Sequence, residues 1–185
     1  MNDNKNMGSL LNPAAARRRG LLVLGLAALL GGCKTVSGAV DGARSMVGLG
    51  PKPLTPDWKS LALRADDDAN ANSAIALDIV FVRDTAVLDA LAAMPATKWF
   101  ASRADLQRGF PDALTVLSFE LVPGQTVKVQ DKLWRDAAGW GVLAFAGYPG
   151  PGEHRARLLL DAPGYLIQLG AQGFSAIDLK PGAAK

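Results

Sequence analysis

The only cysteine of this 185-residue chain, Cys33, ends a segment that we do not expect to belong to a folded domain. An apolar run, Leu21–Leu30, precedes it, and three arginines, Arg17–Arg19, precede the run. A basic segment, a short apolar segment and small residues before a cleavage point are the features of a secretory signal peptide. The apolar run is too short for a membrane-spanning helix, which needs about 20 apolar residues. We therefore predict that residues 1–32 are a cleaved signal peptide.

The residues around the predicted cleavage point specify the kind of signal. A leucine and two small residues lie directly before the cysteine, as in a bacterial lipobox: Leu30, Gly31, Gly32 and Cys33. The thiol of Cys33 is then the lipidation site, which carries a diacylglycerol and an N-acyl chain, and we expect no other cofactor. Arg18 and Arg19 leave a twin-arginine export route open beside the general secretory route. Met7 is an alternative start.

Removing the signal peptide changes the charge balance. Lys5 and Arg17–Arg19 are four of the twenty basic residues, and Asp3 is one of the seventeen acidic residues. The remaining 153 residues therefore carry sixteen of each, a length that suits one domain. They contain no basic cluster interleaved with aromatic residues, so we expect no nucleic-acid partner. With Cys33 acylated, the domain has no internal disulfide, and its core must stabilise it.

The segment after the cysteine has the composition of a tether. Residues 33–56 are rich in glycine, serine and proline and lack the alternation of a strand. We interpret them as a flexible linker with a root-mean-square reach of about 27 Å. An amphipathic helix is the alternative, but Gly38, Gly42 and Gly48 would each cost about 1 kcal/mol there.

Alternating apolar residues dominate the rest of the chain. Ile75, Leu77, Ile79 and Phe81 share one face of a strand over residues 75–82. Further strands are predicted at residues 58–63, 114–121, 126–130, 140–148, 155–160, 165–169 and 174–179. Short strands separated by glycine- and proline-containing turns are typical of a β-sandwich. We therefore predict a β-sandwich domain over residues 57–180 and a disordered tail over residues 181–185.

One helical insertion interrupts this pattern, at about residues 84–111. Asp84 is a candidate N-cap for a first helix that Pro95 ends. A second helix is predicted to start at Ser102, with Asp105 completing a capping-box variant. Trp99 and Phe100 then lie between the two helices, where we expect them to plug the sheet.

The search for catalytic or metal-binding chemistry is mostly negative. The sequence contains one histidine, His154, which lies beside a Pro-Gly turn and is predicted to be an exposed loop residue. It contains no nucleophile elbow, zinc-binding helix or phosphate-binding glycine loop. Asp66, Asp68 and Asn70 have the spacing of a calcium loop, but Ala71 and Leu77 occupy the positions that need glycine and glutamate. We predict a solvated acidic loop, no metal site and no enzyme activity.

The order of these features resembles one family, the outer-membrane lipoproteins of type VI secretion systems (TssJ family). A lipobox and linker come first, followed by the alternating strand and the helical insertion with Trp99 and Phe100. A strand ending in Val122-Pro123-Gly124 and an aromatic-Gly-Val-x-Ala strand at residues 140–144 follow, and then a basic strand at His154-Arg155. Members often have Trp-Arg at this last position, so the sequence is that of a divergent branch.

The resemblance implies a fold and a function. The fold would be mainly β: a transthyretin-like, two-sheet β-sandwich with a small helical insertion. The acyl chains would hold the protein in the inner leaflet of the outer membrane, with the domain in the periplasm. The domain would bind the periplasmic C-terminal region of the inner-membrane protein TssM, with no small-molecule substrate. A stand-alone periplasmic lipoprotein, either a ligand carrier or an envelope-assembly factor, is the alternative.

The resemblance also implies a contact region. In this family, a loop after the first strand is thought to contact TssM, and by position this loop is Arg64–Ser73. The partner-binding residues that we predict in it are Arg64, Asp66, Asp67, Asp68 and Asn70. We expect the charged residues among them to tune the association rate and specificity. A solvated loop with no partner is the alternative.

Overall fold

The computed structural model describes residues 52–179. Several predictions concern residues outside this range: the signal peptide, the lipobox (Leu30, Gly31 and Gly32), the lipidation site Cys33 and the tail at residues 181–185. Only the last five residues of the predicted linker are described. Among the described residues, no helix is both long and apolar enough to cross a membrane.

Between residues 52 and 179 the chain forms eight β-strands in two four-stranded sheets. In the first sheet the order is β4-β1-β7-β8, with β1 and β7 parallel, and in the second it is β3-β2-β5-β6, antiparallel throughout. This arrangement confirms the predicted two-sheet β-sandwich. The strands are β1 (Ser60–Ala65), β2 (Ile75–Val82), β3 (Leu114–Leu121), β4 (Thr126–Lys128), β5 (Gly141–Ala146), β6 (Arg155–Leu158), β7 (Gly164–Leu169) and β8 (Phe174–Asp178).

The core between the two sheets comes from the alternation seen in the sequence. The inward-facing residues of β2 are buried and belong to one cluster with the inward-facing residues of β1 and β7. Burying each such aliphatic side chain contributes about 1.5–3 kcal/mol, which is the main force that holds the sheets together. The central residues of this cluster are Leu61, Leu63, Ile75, Leu77, Ile79, Phe81, Ile167 and Leu169.

Two helices connect β2 to β3: α1 (Thr85–Ala92) and α2 (Ala96–Gly109). The predicted N-cap of α1 is confirmed, because the backbone N–H of Val87 donates a 2.9 Å hydrogen bond to Oδ1 of Asp84. This bond satisfies one of the amide groups that a helix start leaves without a partner.

The predicted start of the second helix is wrong. α2 begins at Ala96, six residues before Ser102, so that Trp99 and Phe100 lie within the helix and not between two helices. Proline is compatible with the start of a helix, where its missing N–H is not needed, so Pro95 directly precedes α2 as well as ending the α1 segment. The capping box is also wrong, since the hydroxyl of Ser102 donates to the backbone oxygen of Lys98 at 2.7 Å.

The helical insertion covers the outer face of the second sheet. Leu88, Leu91 and Trp99 are buried in a second cluster against β2 and β5. The ring of Trp99 stacks on that of Phe145, with the centroids 5.0 Å apart. The expectation that the aromatic residues plug the sheet is thus met for Trp99. Because helices cover one face and β-strands the other, all six residues of β5 are buried.

Two details near the ends of strands complete the fold. Gly124 has φ of +76° and Gln125 N–H donates to the oxygen of Val122, as expected for the predicted type II turn. Leu54, within the predicted linker, pairs with Gly139 through two 2.9 Å backbone hydrogen bonds. Leu54, three residues before the predicted boundary at residue 57, is therefore already in contact with the domain.

Candidate partner-binding surface

Four loops meet at the end of the sandwich where β1 finishes. Backbone hydrogen bonds join three of them, because Gly124 N–H donates to the oxygen of Asp66 at 3.1 Å and Asn70 N–H donates to that of Gly170 at 3.0 Å. The hydroxyl of Tyr148, which donates to the oxygen of Gly170 at 2.9 Å, joins the fourth. The predicted contact loop is therefore held by its neighbours. The four loops are residues 66–74, 122–125, 147–154 and 170–173.

Asp66 supports this surface from within. Both of its carboxylate oxygens accept from Nε2 of Gln168, at 3.0 and 3.1 Å, and Nε of Arg64 lies 3.6 Å from one of them. Its backbone N–H donates to Leu169, and its backbone oxygen accepts from Gly124. Asp66 is therefore mainly a structural residue, and its carboxylate is already engaged before a partner arrives.

Asp67 and Asp68 are the predicted residues that remain available. Both are exposed, and together with Arg64 and Thr126 they line a cleft of about 510 Å³. A Cβ atom on Gly124 would lie 3.1 Å from Oδ1 of Asp67, so the glycine lets the turn approach this carboxylate closely. The structure thus brings Arg64, Asp67 and Asp68 together at one opening.

Asn70 lies in a strained helical turn, Ala69–Asn72. Asn70, Ala71 and Asn72 have φ of +48°, +52° and +63°, in the left-handed region. Asparagine visits this region readily because its short polar side chain can bond locally, and here Nδ2 of Asn70 donates to the oxygen of Ala74 at 2.8 Å. Ala71 has no such compensation. The sequence predicted a solvated acidic loop, and it gave no indication of this left-handed backbone conformation.

The spacing that resembled a calcium loop does not assemble one. The carboxylate of Asp66 is bonded to Gln168, and the amide of Asn70 is turned to the backbone of Ala74. Over residues 52–179, no three His, Cys, Asp or Glu side chains are grouped so that they could hold a metal ion.

An apolar groove of about 530 Å³ is lined in part by the same loop, residues 66–74. Tyr148 lines it, and its hydroxyl lies 2.9 Å from the backbone oxygen of Gly170 and 2.6 Å from that of Gly173. Burial raises the pKa of Tyr148 to about 12. The hydroxyl therefore stays protonated and donates hydrogen bonds to these carbonyls. The remaining lining includes Asn70, Ala71, Pro149, Pro151 and Gln172.

The histidine is less exposed than predicted. His154 is half-buried, with φ of +42°, and its ring lies 4.8 Å from that of Tyr148. Its Nε2 is 3.2 Å from the oxygen of Gly150, within the same loop. The prediction of an exposed loop residue is correct for the loop but not for the exposure, because the ring of His154 packs against that of Tyr148. The sequence offered little signal for Tyr148 beyond its position before the Pro-Gly-Pro-Gly segment.

Comparison with known proteins gives structural matches. No family model and no curated protein matches this sequence. The type VI secretion lipoprotein TssJ1 from Pseudomonas aeruginosa matches with a TM-score of 0.47 at 19% identity, over 66% of this chain and 95% of that one. The Lip protein of Serratia marcescens, a membrane-bound component of the type VI secretion system, matches with a TM-score of 0.45 at 18% identity, over 64% and 96%. A chain of a type VI membrane complex matches with a TM-score of 0.49 at 19% identity, over 64% and 95%. Each match is a likeness of fold over about two thirds of this chain.

Proposed function

We propose that this chain is the outer-membrane lipoprotein of a type VI secretion system. In this proposal, acyl chains on Cys33 hold it in the inner leaflet, and the sandwich lies in the periplasm. The signal peptide pattern and the lipobox support the anchor. The order of the strands, the insertion and the Val122-Pro123-Gly124 turn supports the family.

The observation that carries the proposal is the position of the helical insertion. The resemblance implied a two-sheet sandwich with a small helical insertion after the alternating strand. The described residues have α1 and α2 between β2 and β3, packed on the outer face of the second sheet. A sandwich alone is common to many functions, but this decoration was expected from the motif order.

The partner in this proposal is the periplasmic C-terminal region of TssM. The loop surface at the end of β1 is the candidate contact, because its loops are bonded to one another and present a fixed shape. Asp67 and Asp68 lie exposed at its rim, where charges mainly tune association rate and specificity. The apolar groove beside Tyr148 offers the desolvated contact area that the charged rim lacks.

The role is mechanical and needs no catalysis. Two or more acyl chains anchor a protein stably, whereas one gives marginal binding. A lipid-anchored domain that binds an inner-membrane protein would connect the two membranes of the envelope and hold the secretion complex in place.

Calorimetric titration of the unacylated chain, residues 33–185 with Cys33→Ser, against the TssM C-terminal region of the same genome tests this function. We expect saturable 1:1 binding. The double substitution Asp67→Lys/Asp68→Lys is expected to weaken binding at least tenfold, mostly through slower association. Asp89→Lys, at an exposed position of α1, is the matched control and is expected to bind normally.

Secretion by intact cells provides the second arm. Cys33→Ser in the full chain is expected to abolish type VI secretion while the domain remains folded. Absence of binding by a well-folded domain would overturn the TssM contact and favour a stand-alone periplasmic lipoprotein. Equal weakening by the Asp67→Lys/Asp68→Lys and Asp89→Lys variants would remove the loop from the interface.

A further inference from the structure

A basic cleft of about 420 Å³ extends from the start of β1 to Lys128 at the end of β4, two residues from Thr126 of the acidic cleft. Lys59 precedes β1, whereas Asp66 follows it, and a six-residue strand separates the two ends by about 20 Å. Three of the five lysines within residues 52–179 line the cleft: Lys59, Lys128 and Lys132.

The charges of this cleft are not balanced by its own acidic residue. Asp131 also lines it, but this carboxylate is ion-paired with Arg135 one turn later. The three lysines form no ion pair with any residue of the described part of the chain. Two further acidic residues, Asp161 and Asp178, lie near Tyr165 of β7 and add to the effect of burial in raising its pKa. Asp57 lines the adjoining cleft beside Lys59, so the three lysines and Arg135 stand against two carboxylates, Asp57 and Asp131, and the β1–β4 side keeps a positive charge.

A buried donor without an acceptor points to a ligand. Trp134 lines the cleft and is only 3% exposed, and its indole Nε1–H has no hydrogen-bond partner within residues 52–179. Its neighbour Trp58, 5.6 Å away between ring centroids, donates its own N–H to the oxygen of Leu159 at 2.7 Å. Buried polar groups in native proteins are nearly always satisfied, and an exception needs an explanation. This nitrogen has almost no accessible surface in the structure, so an acceptor oxygen in the cleft would bond it after a small outward movement of the ring.

We propose that this cleft binds a phosphate-bearing anion, and that its source is the headgroup of an anionic phospholipid. Lysine ammonium groups and an indole N–H are all donors, which matches the acceptor oxygens of a phosphate. Ser60 and Gln130 add neutral polar groups to the lining. Leu133, beside Lys132, is an exposed apolar side chain suited to the edge of a lipid surface.

The course of the chain favours the lipid source. The described domain begins at Lys52, and Pro56–Lys59 line a second cleft that Trp134 shares. Only eighteen residues separate Lys52 from Cys33 in the sequence, so the lipidation site is close to this end of the domain along the chain. This step rests on the proposed acylation of Cys33. The headgroup site would then hold the entry end of the domain on the membrane and direct the acidic loops away from it.

Vesicle binding by the unacylated chain, residues 33–185 with Cys33→Ser, tests the site without the anchor or TssM. The two hydrophobic clusters draw only on residues between Trp58 and Ala176, so this chain keeps the whole core. We expect sedimentation with phosphatidylcholine vesicles that contain phosphatidylglycerol, but not with phosphatidylcholine alone. Titration with inorganic phosphate, followed by tryptophan fluorescence, is the second arm.

Three variants locate the binding. Lys128→Gln/Lys132→Gln is expected to weaken vesicle binding about 25-fold, at about fivefold for each lysine near an anionic surface. Trp134→Phe keeps a ring beside Trp58 but loses the donor, and a loss of about fivefold is expected. Lys98→Gln, at an exposed position of α2, is the matched control and is expected to bind normally.

Each remaining outcome counts against the proposal. Binding of inorganic phosphate without vesicle binding would overturn the lipid source, and binding of neither would overturn the site. Equal weakening of vesicle binding by Lys98→Gln and by Lys128→Gln/Lys132→Gln would show that the vesicles attract the whole charged surface and not a specific site. Normal vesicle binding by Trp134→Phe would show that the indole N–H of Trp134 does not take part in binding. Failure of TssM to bind leaves these results unaffected, so the two proposals fail separately.

Discussion

The indole Nε1–H of Trp99 donates a 2.8 Å hydrogen bond to Oδ2 of Asp78, whose side chain is 0% exposed. NH1 of Arg103, one turn later on α2, lies 3.2 Å from the same oxygen. A buried carboxylate is stable only when it is paired and hydrogen-bonded. Strand β2 and helix α2 are therefore joined by one neutral and one charged donor, and this cluster fixes where the helical insertion lies on the sheet.

Replacing Asp78 tests how strongly this cluster holds the insertion. Asp78→Ala leaves the buried N–H of Trp99 without an acceptor and removes the partner of Arg103, so a loss of about 3 kcal/mol in the free energy of unfolding is expected. Asp78→Asn keeps an acceptor and should cost less. Urea unfolding measures both, with Asp89→Ala as the exposed control, expected within about 0.5 kcal/mol of the parent chain. Equal losses for Asp78→Ala and Asp89→Ala would contradict the role of the cluster.

Asp78 also shows where prediction from the sequence stops. The alternation of Ile75, Leu77, Ile79 and Phe81 defined one buried face of β2, because the period of a strand is a local property. The other face, with Asp78 and Val80, was mixed, and its burial depends on the helical insertion, in which Trp99, the partner of Asp78, lies 21 residues away in sequence. Its partner was hidden further because Pro95 was interpreted only as the end of a helix, which placed Trp99 outside α2.

Of the two candidate surfaces, likewise, one was predicted from the sequence and the other was not. The loop that contains Asp67 and Asp68 was identified from a family resemblance, and the structure then separated the engaged carboxylate of Asp66 from the two exposed ones. The basic cleft had no signal, because Lys59 lies 69 residues before Lys128 and 73 residues before Lys132 in the sequence. Only the antiparallel pairing of β1 with β4 brings them to one place.

Gly141 lets α1 approach the second sheet. A Cβ atom at this position would lie 2.9 Å from Cδ2 and 3.0 Å from Cδ1 of Leu88. Gly141→Ala is therefore expected to cost about 1–3 kcal/mol of stability by overpacking, measured by urea unfolding. Gly109→Ala is the matched control, because nothing lies within 4 Å of its Cβ position, and no loss is expected.

The double variant Gly141→Ala/Leu88→Ala separates overpacking from other causes. Removing the leucine alone leaves a cavity, whereas in the Gly141→Ala background it also relieves the close contact. The two changes should therefore cost less together than the sum of their separate costs, by more than about 0.5 kcal/mol. Simple additivity would show that the alanine acts through something other than Leu88.

Stability at high pH is expected to depend on two buried tyrosines. Burial raises the pKa of Tyr148 and of Tyr165 to about 12, compared with about 10 in an unfolded chain. Between these values the unfolded chain loses protons that the folded chain keeps, so the free energy of unfolding falls as the pH rises. Urea unfolding at a series of pH values from neutrality to about 12 measures this slope.

Substitution of Tyr148 assigns part of that dependence. Tyr148→Phe is expected to lower stability by about 1 kcal/mol at neutral pH, because the hydroxyl bonds to Gly170 and Gly173 are lost. Above pH 10 the variant should lose stability less steeply than the parent chain, with Tyr165 responsible for what remains. An unchanged slope would mean that Tyr148 titrates alike in both states.

The left-handed turn predicts an unusual effect of glycine. Ala71 is exposed with φ of +52°, a conformation that costs a residue with a Cβ about 1–2 kcal/mol. Ala71→Gly removes this cost and adds about 0.5–1 kcal/mol of backbone entropy to the unfolded chain, so equal or slightly greater stability is expected. The same substitution at Ala101, exposed within α2, should instead cost about 1 kcal/mol, as glycine does in a helix interior. Thermal unfolding of the two variants compares them directly, and a similar loss at both positions would mean that residue 71 does not hold a left-handed conformation in solution.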